Sequence, residues 1–479
     1  MIATLFQNVG MELLMQINTN SNTEKIEQLN LLTDESTESI LQSKDTAPAF
    51  SDPAFAKNKT LPIHRWVPWI AGFASDFVRD AIQRHLNSHG TVLDPFAGVG
   101  TTLIEAILAG HNAVGFEINP YAALACRIKA NAYQYDVTLL KDELQRLRNF
   151  CSEKTDSSYI PSSSVPSGFK TRADFYSPLV LRKVLLVHDF IATIKDTYLQ
   201  EIFKLAFAST MVLYSNYSYE PSLSQRVSSG KPIIYDFPVA QTISSKLIEM
   251  IDDIVWLQSR LHNSTLSTSI INDSFFNYAT QLKPLVADLI ITSPPYMNNY
   301  HYNRNTRPQL YWLGYVEKPK DFELLETSNV GKYWQTVRDL KYVGLDFSLP
   351  DTDIDERLQE IRDMHPEKKQ YGGNGWANYA ASYFNDCYRF AKGIDYALKP
   401  EGTALVVIGN SILQGVSIST DQYFGKIAES IGLELVDIHI PRATRTGNSI
   451  IQSNVRVEKA KDSHQLYEAI VELRKKRGM

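Results

Sequence analysis

The chain has 479 residues, 44% apolar and 21% charged, so it exceeds one small domain and has the composition of a globular protein. Its three cysteines (Cys126, Cys151, Cys387) lie far apart, which excludes a disulfide framework and a CxxC zinc module. A net charge of -5, from 48 basic and 53 acidic residues, argues against a protein that coats nucleic acid non-specifically, but leaves room for a local basic cleft.

In chain order, residues 1–55 are rich in Asn, Ser, Thr and Glu beyond a short apolar start and read as a disordered tail. Residues 56–132 and 267–465 are expected to form one α/β unit with a doubly wound parallel sheet. Gly72–Leu86 has helical apolar spacing with Ser75 or Asp76 as a cap. A buried strand at 91–93 ends in the turn DPFAGVGTT, followed by an apolar helix, the strand AVGFEIN and a second helix. Strand, Gly-rich turn, helix, strand, helix is the opening of a Rossmann-like sheet. From 133 to 266 the pattern is helical with Ser-rich breaks, and reads as a helical insertion. Strands resume at 268–275 and 287–296. Residues 297–375 are polar and aromatic and are expected to cover the cleft, with a possible part in target recognition. A helix near 376–398, a strand in GTALVVIGNS and a helix in DQYFGKIAESIG follow. LELVDIHIP and SNVRVEKA read as a closing antiparallel pair.

Two turns carry the chemistry. In the first, Gly98 and Gly100 let backbone approach a ligand, Asp94 ends the strand, and Glu117 follows 19 residues after Gly98, where an acidic group pairs with ribose hydroxyls. Thr101 stands where a P-loop needs Lys, and Leu103 where a dinucleotide loop needs its third glycine. A ligand with a ribose but no pyrophosphate fits better. S-adenosylmethionine is such a ligand, its ammonium suited to Asp94 and its ribose to Glu117, with Asn272 or Asp273 available to the adenine amine. Asp273 could equally cap the helix after it. In the second turn a buried strand ends in Ser293-Pro294-Pro295-Tyr296. Two prolines remove two donors, leaving the Ser293 hydroxyl and Pro294 carbonyl as acceptors for an exocyclic amine, and Tyr296 offers a stacking face.

DPFAGVGTT, GFEIN and TSPPY together resemble the amino-group DNA methyltransferases, which transfer methyl from S-adenosylmethionine to cytosine N4 or adenine N6. The resemblance implies a cofactor loop of Asp94, Pro95, Phe96, Gly98, Gly100 and Thr101, Glu117 on the ribose, Phe73 over the methionine end, and Ser293–Tyr296 as the catalytic turn. Serine opening that turn resembles the N4-cytosine branch; adenine N6 is the alternative. The five-carbon cytosine chemistry needs a Pro-Cys nucleophile, and none of the cysteines follows a proline. Double-stranded DNA with a flipped base is the implied substrate, and a cognate restriction endonuclease an implied partner. Tyr300, Arg304 and Arg307 after the turn, and Arg442 and Arg445 near the end, are candidate DNA contacts; a packed helix for the first group and a solvated hairpin for the second are the plainer readings. An RNA or protein N-methyltransferase, or a silent DNA-binding subunit with the same fold, are the competing functions. No metal is expected. No apolar run reaches the ~18 residues that span a bilayer and no signal peptide is read, so no membrane partner and a cytoplasmic location are expected.

Overall fold

A computed structural model describes residues 58–69, 72, 74–155, 157–219, 222–261, 266–297, 302–331, 334–444 and 466–477. The tail expected over 1–55 lies outside them. Seven strands form the central sheet: β1 (Thr91–Asp94), β2 (Asn112–Phe116), β3 (Thr268–Ile271), β4 (Ala287–Thr292), β5 (Leu398–Gly409), β6 (Glu434–Thr444) and β7 (Leu466–Arg474). Their spatial order is β6-β7-β5-β4-β1-β2-β3. The pairs β3·β2, β2·β1, β1·β4 and β4·β5 are parallel, whereas β7 runs antiparallel to both β5 and β6. The strand order reverses between β1 and β4. That is the topological switch point, where a crevice opens beyond the carboxyl ends of an α/β sheet. Both motif turns leave strands at that point.

Helices cover both faces. On one lie α1 (Ser75–His85), α2 (Thr101–Leu108) and α3 (Pro120–Ala130). The block α4 (Val137–Thr155), α5 (Pro178–Thr193), α6 (Thr197–Thr210) and α7 (Val239–Gln258) packs onto the same core. In α7 the buried Val239, Ile243, Leu247, Met250, Ile254 and Leu257 recur at helical spacing and form one stripe. Each such aliphatic contributes roughly 1.5–3 kcal/mol on burial. Further on come α8 (Arg307–Trp312), α9 (Pro319–Thr327) and α10 (Ile354–Arg362). The other face is covered by α11 (Gly373–Ala397) and α12 (Thr420–Ser430), with α10 in the same core.

Two local expectations change. Neither Ser75 nor Asp76 caps α1: its N-cap is Ala74, and the Ser75 N–H instead donates to Asn58 Oδ1 at 3.0 Å. The antiparallel partner of β6 is Leu466–Arg474, with Glu434 opposite Arg474 and Thr444 opposite Leu466. Residues 453–460, expected in that place, lie outside the described residues. Alternation alone suited both segments, but only LYEAIVELR supplies the buried Leu466, Ala469, Ile470, Val471 and Leu473 that a strand inside the sheet requires.

Candidate active site

The Gly-rich turn is held by geometry that only glycine takes easily. Gly98 sits at φ 52° and Gly100 at φ 88°, and a Cβ on Gly100 would lie 2.9 Å from Cys126 Sγ. Gly100 begins α2, and α3 reaches back to the turn: the buried Lys129 donates from Nζ to the Val99 carbonyl at 2.9 Å. Burial lowers the Lys129 pKa to about 7. Trp69 comes within 3.3 Å of the place a Gly98 Cβ would occupy, which puts its indole over the turn. Phe73 lies outside the described residues.

Glu117 follows β2 and faces this turn. Its Oε2 accepts the Gly98 N–H at 2.8 Å and its Oε1 the Asn119 N–H at 2.7 Å. Burial pushes its carboxyl from 4.5 up to about 7, against those two amides, which favour the charged form. Asp94 is placed differently from its expected part in binding an ammonium. It is 1% exposed, and its oxygens accept from the hydroxyls of Thr102 (2.7 Å) and Thr292 (2.6 Å) and from the Phe96 N–H (3.0 Å). Burial raises its carboxyl to about 6 in spite of these donors. Asp94 therefore ties β1 to α2 and to the end of β4. Pro95 continues that turn, Phe96 packs edge-on against Phe390 with ring centroids 5.1 Å apart, and Thr101, buried, opens α2.

Past β3, Asp273 is occupied within its own loop but is not the cap: it accepts from Asn277 Nδ2 (2.8 Å), Gln281 Nε2 (3.1 Å) and the Ser274 N–H (2.7 Å), while Ser274 caps the short helix that follows. Asn272 is exposed and donates Nδ2 to the Glu117 and Ile118 carbonyls, which leaves its Oδ1 facing outward with no partner among the described residues.

The proline turn begins one residue after Thr292. Pro294 is buried, and Ser293, Pro295 and Tyr296 are half-buried. Among the described residues nothing bonds the Ser293 hydroxyl. Three neighbours clamp the turn, and sequence reasoning found none of them. Tyr383 of α11 donates its hydroxyl to the Pro295 carbonyl at 3.0 Å. Glu468 of β7 accepts from the Tyr296 hydroxyl at 3.1 Å. Gly409 ends β5 so close to the Tyr296 ring that a Cβ would lie 3.2 Å from it. The only available signal was a glycine closing an apolar strand. The site has one more weld: Asn119, N-cap of α3, accepts from two α3 amides and donates Nδ2 to Asn303 (3.0 Å) and Thr306 (2.7 Å), which fixes the chain just beyond the proline turn.

The candidate DNA contacts fall out unevenly. Arg304 is exposed. Arg307 is packed: it donates to the Lys170 carbonyl at 2.9 Å and lies over the rings of Phe169 (5.5 Å) and Tyr311 (5.3 Å). Its helix α8 buries Leu310, Tyr311 and Trp312, so the packed-helix reading holds for Arg307, whereas Arg304 lies before α8. Tyr300 and Arg445 lie outside the described residues, and Arg442 is placed by its backbone alone, opposite Glu468. Buried His64 pairs with Glu105 at 2.8 Å, and Arg65 with Asp253, so neither is aimed at a ligand. All three cysteines are buried; burial pushes the Cys151 thiol up to about 12 and raises the other two as well. Among the described residues no group of three or more His, Cys, Asp or Glu could hold a metal ion, and no helix is long and apolar enough to cross a membrane.

A family model described as DNA methylase, covering the N6 and N4 amino-methyltransferases, matches residues 33–126, the span that holds the Gly-rich turn and Glu117. Over this span the chain is similar to the amino DNA methyltransferase family. S-adenosylmethionine is the methyl donor of that family. The Type II methyltransferase M.BsoBI of Geobacillus stearothermophilus is 24% identical over 435 residues, 83% of each chain. M.AvaI of Nostoc is 23% identical over 83% of this chain and 84% of its own. M.MjaII of Methanocaldococcus jannaschii is 21% identical over 64% and 56%. At 83% of this chain, the likeness to the first two extends across both motif turns and the helical block between them.

Proposed function

We propose that the protein methylates the N4 amine of cytosine in double-stranded DNA, and that the acceptor is a base flipped out of the duplex. The observation that carries this reading is the junction at the switch point. Asp94 and Thr292, 198 positions apart in sequence, share a 2.6 Å hydrogen bond, so the cofactor turn and the proline turn open into one crevice.

The residues fit S-adenosylmethionine. Glu117 is a carboxylate in a poorly solvated crevice whose partners among the described residues are the backbone amides of Gly98, Asn119 and Ile118, and hydroxyl donors would complete it. It is assigned to the ribose diol, the backbone at Gly98 and Gly100 to close approach along the cofactor, and Asn272 Oδ1 to the adenine amine. Asp94 is assigned to hold the turn rather than to touch the ligand. When bound, the cofactor supplies an electrophilic methyl group.

The chain's own part is orientation. A base amine is a weak nucleophile because its lone pair is delocalised into the ring. Accepting both amine hydrogens on the Ser293 hydroxyl and the Pro294 carbonyl turns that lone pair out of the ring plane. Tyr296, held by Glu468 and Gly409, stacks on the flipped base. Fixed geometry of this kind accounts for large rate factors without a covalent intermediate, and the buried, high-pKa cysteines support direct transfer. A serine at position 293 favours cytosine, by the resemblance to the N4 branch. As in Type II systems, the modified site would protect the cell's DNA from a nuclease of the same specificity.

Mass spectrometry of nucleosides from DNA treated with enzyme and cofactor tests this. N4-methylcytosine that disappears with Pro294→Ala is the expected result. N6-methyladenine in its place overturns the base assignment, and label in RNA or protein but not DNA overturns the substrate.

A further inference from the structure

The segment after the proline turn folds into a basic concavity that the site above does not use. Arg338, Asp339, Leu340, Lys341, Arg362 and Lys369 lie along a hollow of about 390 Å³, closed by Asn374 at the start of α11. Four cations thus face one carboxylate. Among the described residues Asp339 meets only the Nε of Arg338, at 3.3 Å. The nearby acids are matched elsewhere, Glu360 to Arg357 at 3.0 Å and Glu367 to His365 at 3.3 Å. The ammonium groups of Lys341 and Lys369 have no ion pair among the described residues.

Both arginines are held in fixed planes. Arg338 lies beside the paired rings of Trp334 (5.0 Å) and Tyr371 (4.9 Å), whose centroids are 5.9 Å apart. Arg362 lies over Tyr342 at 4.3 Å and donates to Asn374 Oδ1 at 2.8 Å. Tyr342 and Tyr371 are 67% and 56% exposed, so these stacks stand at the surface and are not core packing. The rim is tightly built: Cβ atoms on Gly372, Gly373 and Gly375 would come within 2.3, 1.8 and 2.2 Å of backbone carbonyls. Pre-oriented guanidiniums beside unpaired lysines suit phosphate oxygens.

Position identifies the partner. Helix α11 leads into a parallel strand, so it starts at the carboxyl edge of the sheet, the edge where the crevice opens. Tyr383 marks the level of the proline turn. Asn374 lies nine residues earlier, about 14 Å further out along the helix. A hollow that far out from the proline turn lies beyond the pocket of the flipped base, at the height where the flanking duplex would pass.

We propose that this concavity grips backbone phosphates of the duplex flanking the target base, and so sets where the DNA lies on the enzyme. The proposal rests on the DNA-methylating reading above.

The test uses the full-length protein and a fluorescein-labelled random-sequence DNA duplex, with anisotropy read across a salt series. The Lys341→Ala, Lys369→Ala double variant is expected to weaken binding about ten-fold and to reduce the slope of log affinity against log salt by about two. Methyl transfer to unmethylated genomic DNA should lose through KM for DNA, with kcat held, and Lys→Arg at both positions should restore the slope. Unchanged S-adenosylmethionine binding shows that the variant is folded. A slope and KM equal to wild type overturn the proposal, as does a loss seen with RNA but not with duplex DNA. A wild-type enzyme that transfers no methyl to DNA sinks the proposed function, and the salt slope still decides this surface.

Discussion

At the scale of single residues, Glu117 combines a place against the Gly-rich turn with an unusual proton affinity. Its carboxyl titrates near 7 in the folded protein against 4.5 in the free side chain, through burial above all, with the Asn119 and Gly98 amides acting the other way. Between those values the folded protein holds a proton that the unfolded chain has released. Stability of the cofactor-free protein should therefore fall as pH rises through this window and level off above about 7. Asp94, raised to about 6, adds a smaller term of the same sign. Ribose hydroxyls donate to an ionised carboxylate, so S-adenosylmethionine should bind more weakly as pH drops below about 7, releasing up to one proton. Calorimetry in buffers of different ionisation enthalpy measures that release. Glu117→Gln should abolish it; a wild-type protein that binds with no proton release in this window contradicts the assignment. Residue identity carried much of this far: acids and glycines at these spacings pointed to the crevice from sequence alone. The actual partner of Asp94 did not show, because Thr292 sits in a run of β-branched residues whose ordinary explanation is strand propensity.

Among the elements, the proline turn depends on pieces of three others: α11 through Tyr383, β5 through Gly409 and β7 through Glu468. Gly409→Ala places a methyl where the Tyr296 ring now lies, and the ring must shift by a few tenths of an ångström. We expect kcat to fall at least ten-fold with cofactor affinity within two-fold of wild type, since near-attack geometry is steeply distance-dependent. Equal kcat in stopped-flow single-turnover assays would show that the ring is not position-critical. The strands and helices of the sheet were legible because each is a long run of one period. Pairing was less so. A strand that alternates can sit at 453–460 or at 466–474, and only burial on both faces selects the second. Arg307, which opens α8, misled for a related reason, since a mixture of Arg and aromatics describes a stacking surface and a packed amphipathic helix equally well.

For the whole molecule, the helical block is bonded into the catalytic unit by a buried ion cluster. Asp253 of α7, 2% exposed, accepts from the Ile63 N–H and Trp66 Nε1, both at 2.8 Å, and from the guanidinium of Arg65. Asp253→Ala leaves those donors buried and unmatched, which should cost about 3–5 kcal/mol. Urea unfolding followed by tryptophan fluorescence measures it, and a loss under about 1 kcal/mol would mean the block is held by its apolar stripe alone. Such long-range ties leave little trace in sequence, because a lone Asp on a helix reads as a solvated face.

The placement of β7 sets an order of events during synthesis. Strands β1 to β5 supply both motif turns, and they are parallel neighbours that can assemble as they emerge. Glu468 and the strand that carries it slot between β5 and β6 only after residue 474 has left the ribosome. A nascent chain that has exposed both turns still lacks the group that steadies Tyr296, so methylation competence should arrive abruptly once residue 474 has emerged rather than grow with chain length.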